Sequence, residues 1–164
     1  MRRQMNSSGL IDAPAKTLAA DGVKECERGA YREAIRTLEE AASLAGDATR
    51  LPAKALAAYG VALAATDKKR TAEGIRICQT ALQKDPIDTD LHLYLARAYL
   101  NAKSKSLAIQ ALDAGLRAEP GHAEMRRLRA RLGRRRPPPL AFLGRSHPVN
   151  VCLGKLRHRL LGGG

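Results

Sequence analysis

The stretch Gly74-Ile75-Arg76-Ile77-Cys78-Gln79-Thr80-Ala81-Leu82-Gln83-Lys84-Asp85-Pro86 decides the fold, because it returns as Ala108-Ile109-Gln110-Ala111-Leu112-Asp113-Ala114-Gly115-Leu116-Arg117-Ala118-Glu119-Pro120. The two copies align without a gap at an offset of 34 residues. A fixed period of that size marks stacked helical hairpins, each too small to bury its own apolar stripe and so obliged to lean on the next. Upstream, Ala34-Ile35-Arg36-Thr37-Leu38-Glu39-Glu40-Ala41-Ala42 keeps the same rhythm 40 residues before the second copy. The period is thus kept across three units, with one longer connection.

Working outward, small residues such as Ala34, Ala41, Ala81, Ala96 and Ala108 allow two helix axes to approach, while Ile35, Ile75, Ile109, Leu38 and Leu112 fill the seam between them. Pro86 and Pro120 fall where a missing N–H ends a helix and redirects the chain. Beyond Pro120, Met125, Leu128 and Leu132 recur at helical spacing with Arg126, Arg127, Arg129 and Arg131 between them. That pattern predicts a helix over 123–132 that caps the stack with a basic outer face. Arg134 to Pro139 reads RRRPPP, an extended breaker, so the folded part should stop near Gly133.

This rhythm resembles that of the tetratricopeptide repeat family, whose hairpins pair a first helix carrying bulky, small and aromatic residues with a second helix of the form small-Ile-x-x-apolar-x-x-small, closed by Pro. The third copy fits best, with Leu95, Ala96 and Tyr99, then Ala108, Ile109, Leu112, Gly115 and Leu116, then Pro120. The first supplies Gly22, the turn Gly29-Ala30-Tyr31, and Ala34, Ile35, Leu38 and Ala41; the second supplies Tyr59, Gly60 and Leu63, then Ile75, Cys78, Ala81, Leu82 and Pro86. Departures are Gly46-Asp47 in place of Pro, about four extra residues before the second copy, an expanded turn at 66–70, and Gly74 where Ala is common. The resemblance implies an all-α, right-handed solenoid of three hairpins and a capping helix over residues 14–133. Residues 1–13 are expected to be a flexible lead and 134–164 a basic, mostly irregular tail with a short amphipathic helix.

Composition agrees with helix. The chain has 164 residues, one Phe, four Tyr and no Trp, and sheet-forming aromatics are correspondingly scarce. Its formal charge of +13 attracts anions in general. Much of that excess is local: from Arg134 to Gly164 there are seven Lys or Arg and no acid. Cys26, Cys78 and Cys152 are odd in number and far apart, without the C-x-x-C spacing of metal or redox sites. They read as reduced thiols of a cytoplasmic protein. Neither a secretory leader pattern nor a run of about 20 apolar residues appears.

An enzyme is not expected. His92, His122, His147 and His158 are dispersed, no H-E-x-x-H pair presents two metal ligands on one helical face, and no phosphate-binding glycine loop or nucleophile elbow is present. No metal or cofactor is expected. By resemblance, the first helix of each pair lines the inner surface, and the family register places there Lys16, Val23 and Cys26, then Lys54, Ala57 and Val61, then Tyr94, Arg97 and Asn101, with Arg127 and Arg131 on the cap. The family's carboxylate grip is not expected, since Ala19 and Val23 stand where it needs Lys and Asn.

The function expected is that of an adaptor or assembly scaffold holding an acidic protein segment in a groove that becomes cationic toward its C-terminal end. An alternative stays open: eight Arg between Arg117 and Arg136, with the basic tail, would also bind nucleic acid or an anionic membrane surface without sequence preference. In the tail, Phe142, Leu143, Arg145, Leu153 and Leu156 are candidates for docking. The tail resembles those of some bacterial repeat proteins, and that resemblance implies a bacterial source. The plain alternative for each of these charges is a solvated helix face.

Overall fold

The computed structural model describes residues 13–133 together with Val149 and Cys152. The described residues form seven α-helices and no strand: α1 (Ala13–Glu27), α2 (Tyr31–Ala45), α3 (Ala53–Thr66), α4 (Thr71–Lys84), α5 (Asp90–Asn101), α6 (Lys105–Ala118) and α7 (Ala123–Arg131). One compact unit ends at Leu132 and a second begins at Gly133. Of the second, Val149 and Cys152 are helical and exposed. The tail candidates Phe142, Leu143, Arg145, Leu153 and Leu156 lie outside the described residues, as do residues 1–12.

The helices pair as the period requires. α1 packs on α2, α3 on α4 and α5 on α6, and the pairs join because α3 also touches α1, α2 and α5 while α4 touches α5. α7 packs on α6. Composition explains why α3 takes the centre. Ala55–Ala58 and Gly60–Ala64 are all buried, so this helix is apolar around its whole circumference, as a helix enclosed by others must be. The outer helices are amphipathic instead: α2 buries only Ala34, Leu38, Ala41 and Ala45.

Within the second pair the two backbones come closer than any side chain permits. A Cβ on Gly60 would stand 2.5 Å from the Gly74 carbonyl oxygen, and a Cβ on Gly74 would collide with the Gly60 oxygen in return. The glycine at position 74, where the family pattern has alanine, is therefore a steric requirement of this hairpin. In the third pair Ala96 and Ala108 are both wholly buried.

The extra residues after the first pair are ordered. Gly46 ends α2 in the left-handed conformation (φ 85°), its N–H bonding back to the Ser43 oxygen, a common helix stop. A short 3-10 turn, Ala48–Arg50, follows, with the Asp47 carboxylate accepting from the Thr49 N–H at 2.6 Å. Leu51 is then fully buried, and Lys84 Nζ at the end of α4 donates to the Thr49 and Leu51 oxygens, each at 2.7 Å. Side-chain hydrogen bonds stitch consecutive pairs, among them Tyr59 Oη to Glu39 Oε1 at 3.0 Å and Gln79 Nε2 to Tyr99 Oη at 3.1 Å.

Candidate protein-binding groove

The candidate site is the row made by the first helices α1, α3, α5 and α7. A chain of charged and polar groups crosses it from end to end. Tyr94 Oη donates to Glu27 Oε1 at 2.9 Å, and Lys54 Nζ lies 3.8 Å from the same Glu27 oxygen and 2.9 Å from Asp90 Oδ2. Asp90 Oδ1 is 2.8 Å from His122 Nε2. At the N-terminus of α7 the Met125 N–H donates to His122 Nδ1 at 3.3 Å. A ring nitrogen that accepts carries no proton, so His122 holds its hydrogen on Nε2 and donates it to Asp90. One residue caps α7 and ties it to α5.

The electrostatics follow from these contacts. The His122 hydrogen bond, then Lys54, hold the Asp90 carboxyl below its ordinary value, against the opposing effect of burial. The Asp90 bond in turn raises the Lys54 ammonium, keeping it charged. Burial pushes the Tyr94 hydroxyl up, and its bond to Glu27 adds to that, so it stays protonated and donates to Glu27.

Beside this chain, Arg97 on α5 pairs with Glu124 on α7, and its guanidinium lies 5.8 Å from the centre of the Tyr94 ring. Between the ends of α1 and α5 opens a pocket of about 330 Å³, lined by Cys26, Glu27, Arg28, Gly29, Tyr31, Arg97, Leu100 and Asn101. Its lining is mixed, with Cys26, Tyr31 and Leu100 beside the charged Glu27, Arg28 and Arg97.

The expected inner residues divide into three groups. Lys16, Asn101, Arg127 and Arg131 are exposed, and Val23, Lys54 and Arg97 are half-buried. Val61 and Tyr94 are corrected to core residues, at 1% and 2% exposure. Val61 sits on the enclosed helix α3, and the Tyr94 ring is sandwiched under Arg97 with its hydroxyl spent on Glu27. Neither offers a partner an open surface, and Cys26 and Ala57 are buried as well. The groove's cationic grading is also weaker than the sequence implies, because Lys54 and Arg97 already have carboxylate partners. Arg127 and Arg131 have none among the described residues.

Sequence reasoning did not single out Glu27, Asp90, His122 or Glu124 for this groove. The repeat itself held a signal for two of them: Asp90 and Glu124 stand 34 residues apart, as do Arg97 and Arg131, so an acid in the first turn and an arginine two turns later belong to both α5 and α7. Nothing in the spacing announced that Arg97 would reach forward to the next helix's acid.

The thiols are structural. Cys26 Sγ on α1 donates to the Ala58 oxygen and Cys78 Sγ on α4 to the Ala57 oxygen, each at 3.4 Å. Burial pushes Cys26 up to about 11 and Cys78 higher still. Among the described residues no group of three His, Cys, Asp or Glu is placed to hold a metal ion, and no helix is long and apolar enough to cross a membrane.

Stacked helical hairpins with a first-helix face define a helical-repeat protein of the solenoid class. The tetratricopeptide repeat model matches residues 65–132, the stretch from the end of α3 through α7. No curated protein matches the chain. Tetratricopeptide repeats generally mediate binding between proteins and are typically not enzymes.

Proposed function

We propose that this protein is an adaptor or assembly scaffold that holds an acidic segment of a partner protein along α1, α3, α5 and α7, toward the C-terminal end of that row. The observation that carries this reading is the pocket between α1 and α5, because it offers a recess of mixed lining, with Tyr31 and Leu100 as apolar contacts, directly beside Arg97 and Asn101. Arg127 and Arg131 extend the positive surface along α7, since residues at i, i+4 and nearby spacings share a helix face. Arginine suits this role because its guanidinium binds carboxylates by two parallel hydrogen bonds and remains charged.

The test reverses two charges. Binding of a fluorescein-labelled peptide alternating Glu and Leu is measured by polarisation, with a Gln and Leu peptide as neutral control. The variant Arg97→Glu with Arg131→Glu should lose on the order of tenfold or more in affinity, about 1.4 kcal/mol, with its helical circular dichroism intact. Undiminished binding by the double variant defeats the groove reading. A single-stranded oligonucleotide or anionic vesicles in place of the peptide address the alternative partner. Binding of those that is lost with α7's arginines and with added salt would favour a polyanion over an acidic protein.

A further inference from the structure

We infer that Glu124 is a built-in competitor for the partner: it occupies the carboxylate seat at Arg97, and an acidic side chain of the bound segment displaces it. This rests on the groove reading above and adds to it the residue that sets how acidic a partner must be.

The geometry gives the exchange its direction. Arg97 is the held member of the pair, with its side chain 27% exposed, whereas that of Glu124 is 55% exposed. Arg97 is fixed from below by the Tyr94 ring, which is itself anchored to Glu27. Its guanidinium therefore stays at the lip of the pocket whichever carboxylate it binds. Glu124, in the first turn of α7, can turn outward and remain near the positive end of its helix, where an acid is favoured.

The seat has room for a second carboxylate to approach. Arg97 and Asn101 both border the pocket, so a ligand acid at Arg97 would carry its neighbouring aliphatic side chain into the recess that Leu100 helps to line. Once released, Glu124 has Arg127 at i+3 on its own helix as an alternative partner. Arg131, the repeat equivalent of Arg97, has no acid of a following helix among the described residues. The two arginines thus form one seat with an internal occupant and one without. A segment with a single acid gains little at the occupied seat; a segment with acids spaced to meet both arginines displaces Glu124 while held at Arg131.

The test uses the whole chain and the alternating Glu and Leu peptide. Glu124→Gln keeps the side chain's size and removes its charge, and should tighten binding by roughly two- to fivefold, in keeping with the modest strength of exposed pairs. Arg97→Gln should weaken binding, and in that background Glu124→Gln should change little, because the seat it competes for is gone. If Glu124→Gln leaves binding unchanged or weaker while Arg97→Gln still costs affinity, the competitor role is overturned and the groove reading stands. If Arg97→Gln has no effect either, both fall. Helical circular dichroism of each variant confirms that α7 remains folded.

Discussion

The close approach of α3 and α4 makes Gly74→Ala the most decisive substitution for the fold. The added methyl would overlap the Gly60 carbonyl oxygen and stand 3.0 Å from the Ala64 nitrogen and 3.1 Å from the Ala64 Cβ. Two of these neighbours are helix backbone, which cannot rotate away as a side chain can. Relief requires the helices to part, and parting them loosens the seam that Val61 and Cys78 fill, both of which are buried. Overpacking of a core costs about 1–3 kcal/mol, and rigid backbone on both sides puts this case near the upper end. Alanine returns about 1 kcal/mol of helix propensity, leaving a net loss of about 2 kcal/mol. For a domain of this size that lowers the melting temperature by roughly 6 °C. Gly121→Ala is the control, since nothing lies within 4 Å of its added Cβ, and it should be neutral or slightly stabilising. Thermal unfolding followed by circular dichroism reads both. The double variant Gly60→Ala with Gly74→Ala should cost less than the sum of the singles, because one separation of the helices relieves both overlaps. A Gly74→Ala protein that melts within a degree of the parent would refute the steric account.

Two further outcomes follow from the titrating groups. Asp90 is held below its ordinary carboxyl value by His122 and Lys54, so its contribution to stability is complete above the unfolded value of about 3.9 and is lost as the pH falls through the lower folded value. The stability gap between the parent and Asp90→Asn, from urea unfolding, should be larger at pH 6 than at pH 3; a gap that does not narrow in acid contradicts the assignment. Cys26 and Cys78 are buried and their thiols are raised, while Cys152 is exposed. A chromogenic disulfide at pH 8 should therefore label one thiol of the native chain quickly and all three only after denaturation. Fast labelling of all three would show that the α3 seam opens readily.

Much of the architecture was legible because hairpin stacking imposes a sequence period. The offset between Ile75 and Ile109 and the prolines at 86 and 120 set the pairing of α3 with α4 and of α5 with α6 without reference to any long-range contact. The cap followed from Met125, Leu128 and Leu132. The departures at 46–51 and at Gly74 were visible as irregularities, but their meaning was not. A carbonyl oxygen facing a missing Cβ, or a lysine 33 residues away closing on the Leu51 oxygen, exists only once two helices are side by side.

The candidate site shows the same division more sharply. Helical register told which side of α5 carries Tyr94, Arg97 and Asn101, since residues three and four apart share a face. Register is a property of one helix and says nothing about what stands opposite. Whether Arg97 faces solvent or Glu124 depends on the distance and rotation between α5 and α7, and whether Val61 is surface or core depends on the packing of α3 among α1, α2, α4 and α5. The sequence by itself therefore determined a stack of three hairpins and a basic capping helix, through periodicity and small-residue spacing. Only the tertiary structure decided which charges are already neutralised within the molecule and which remain for a partner, because ion pairs form between helices whose separation no local pattern encodes.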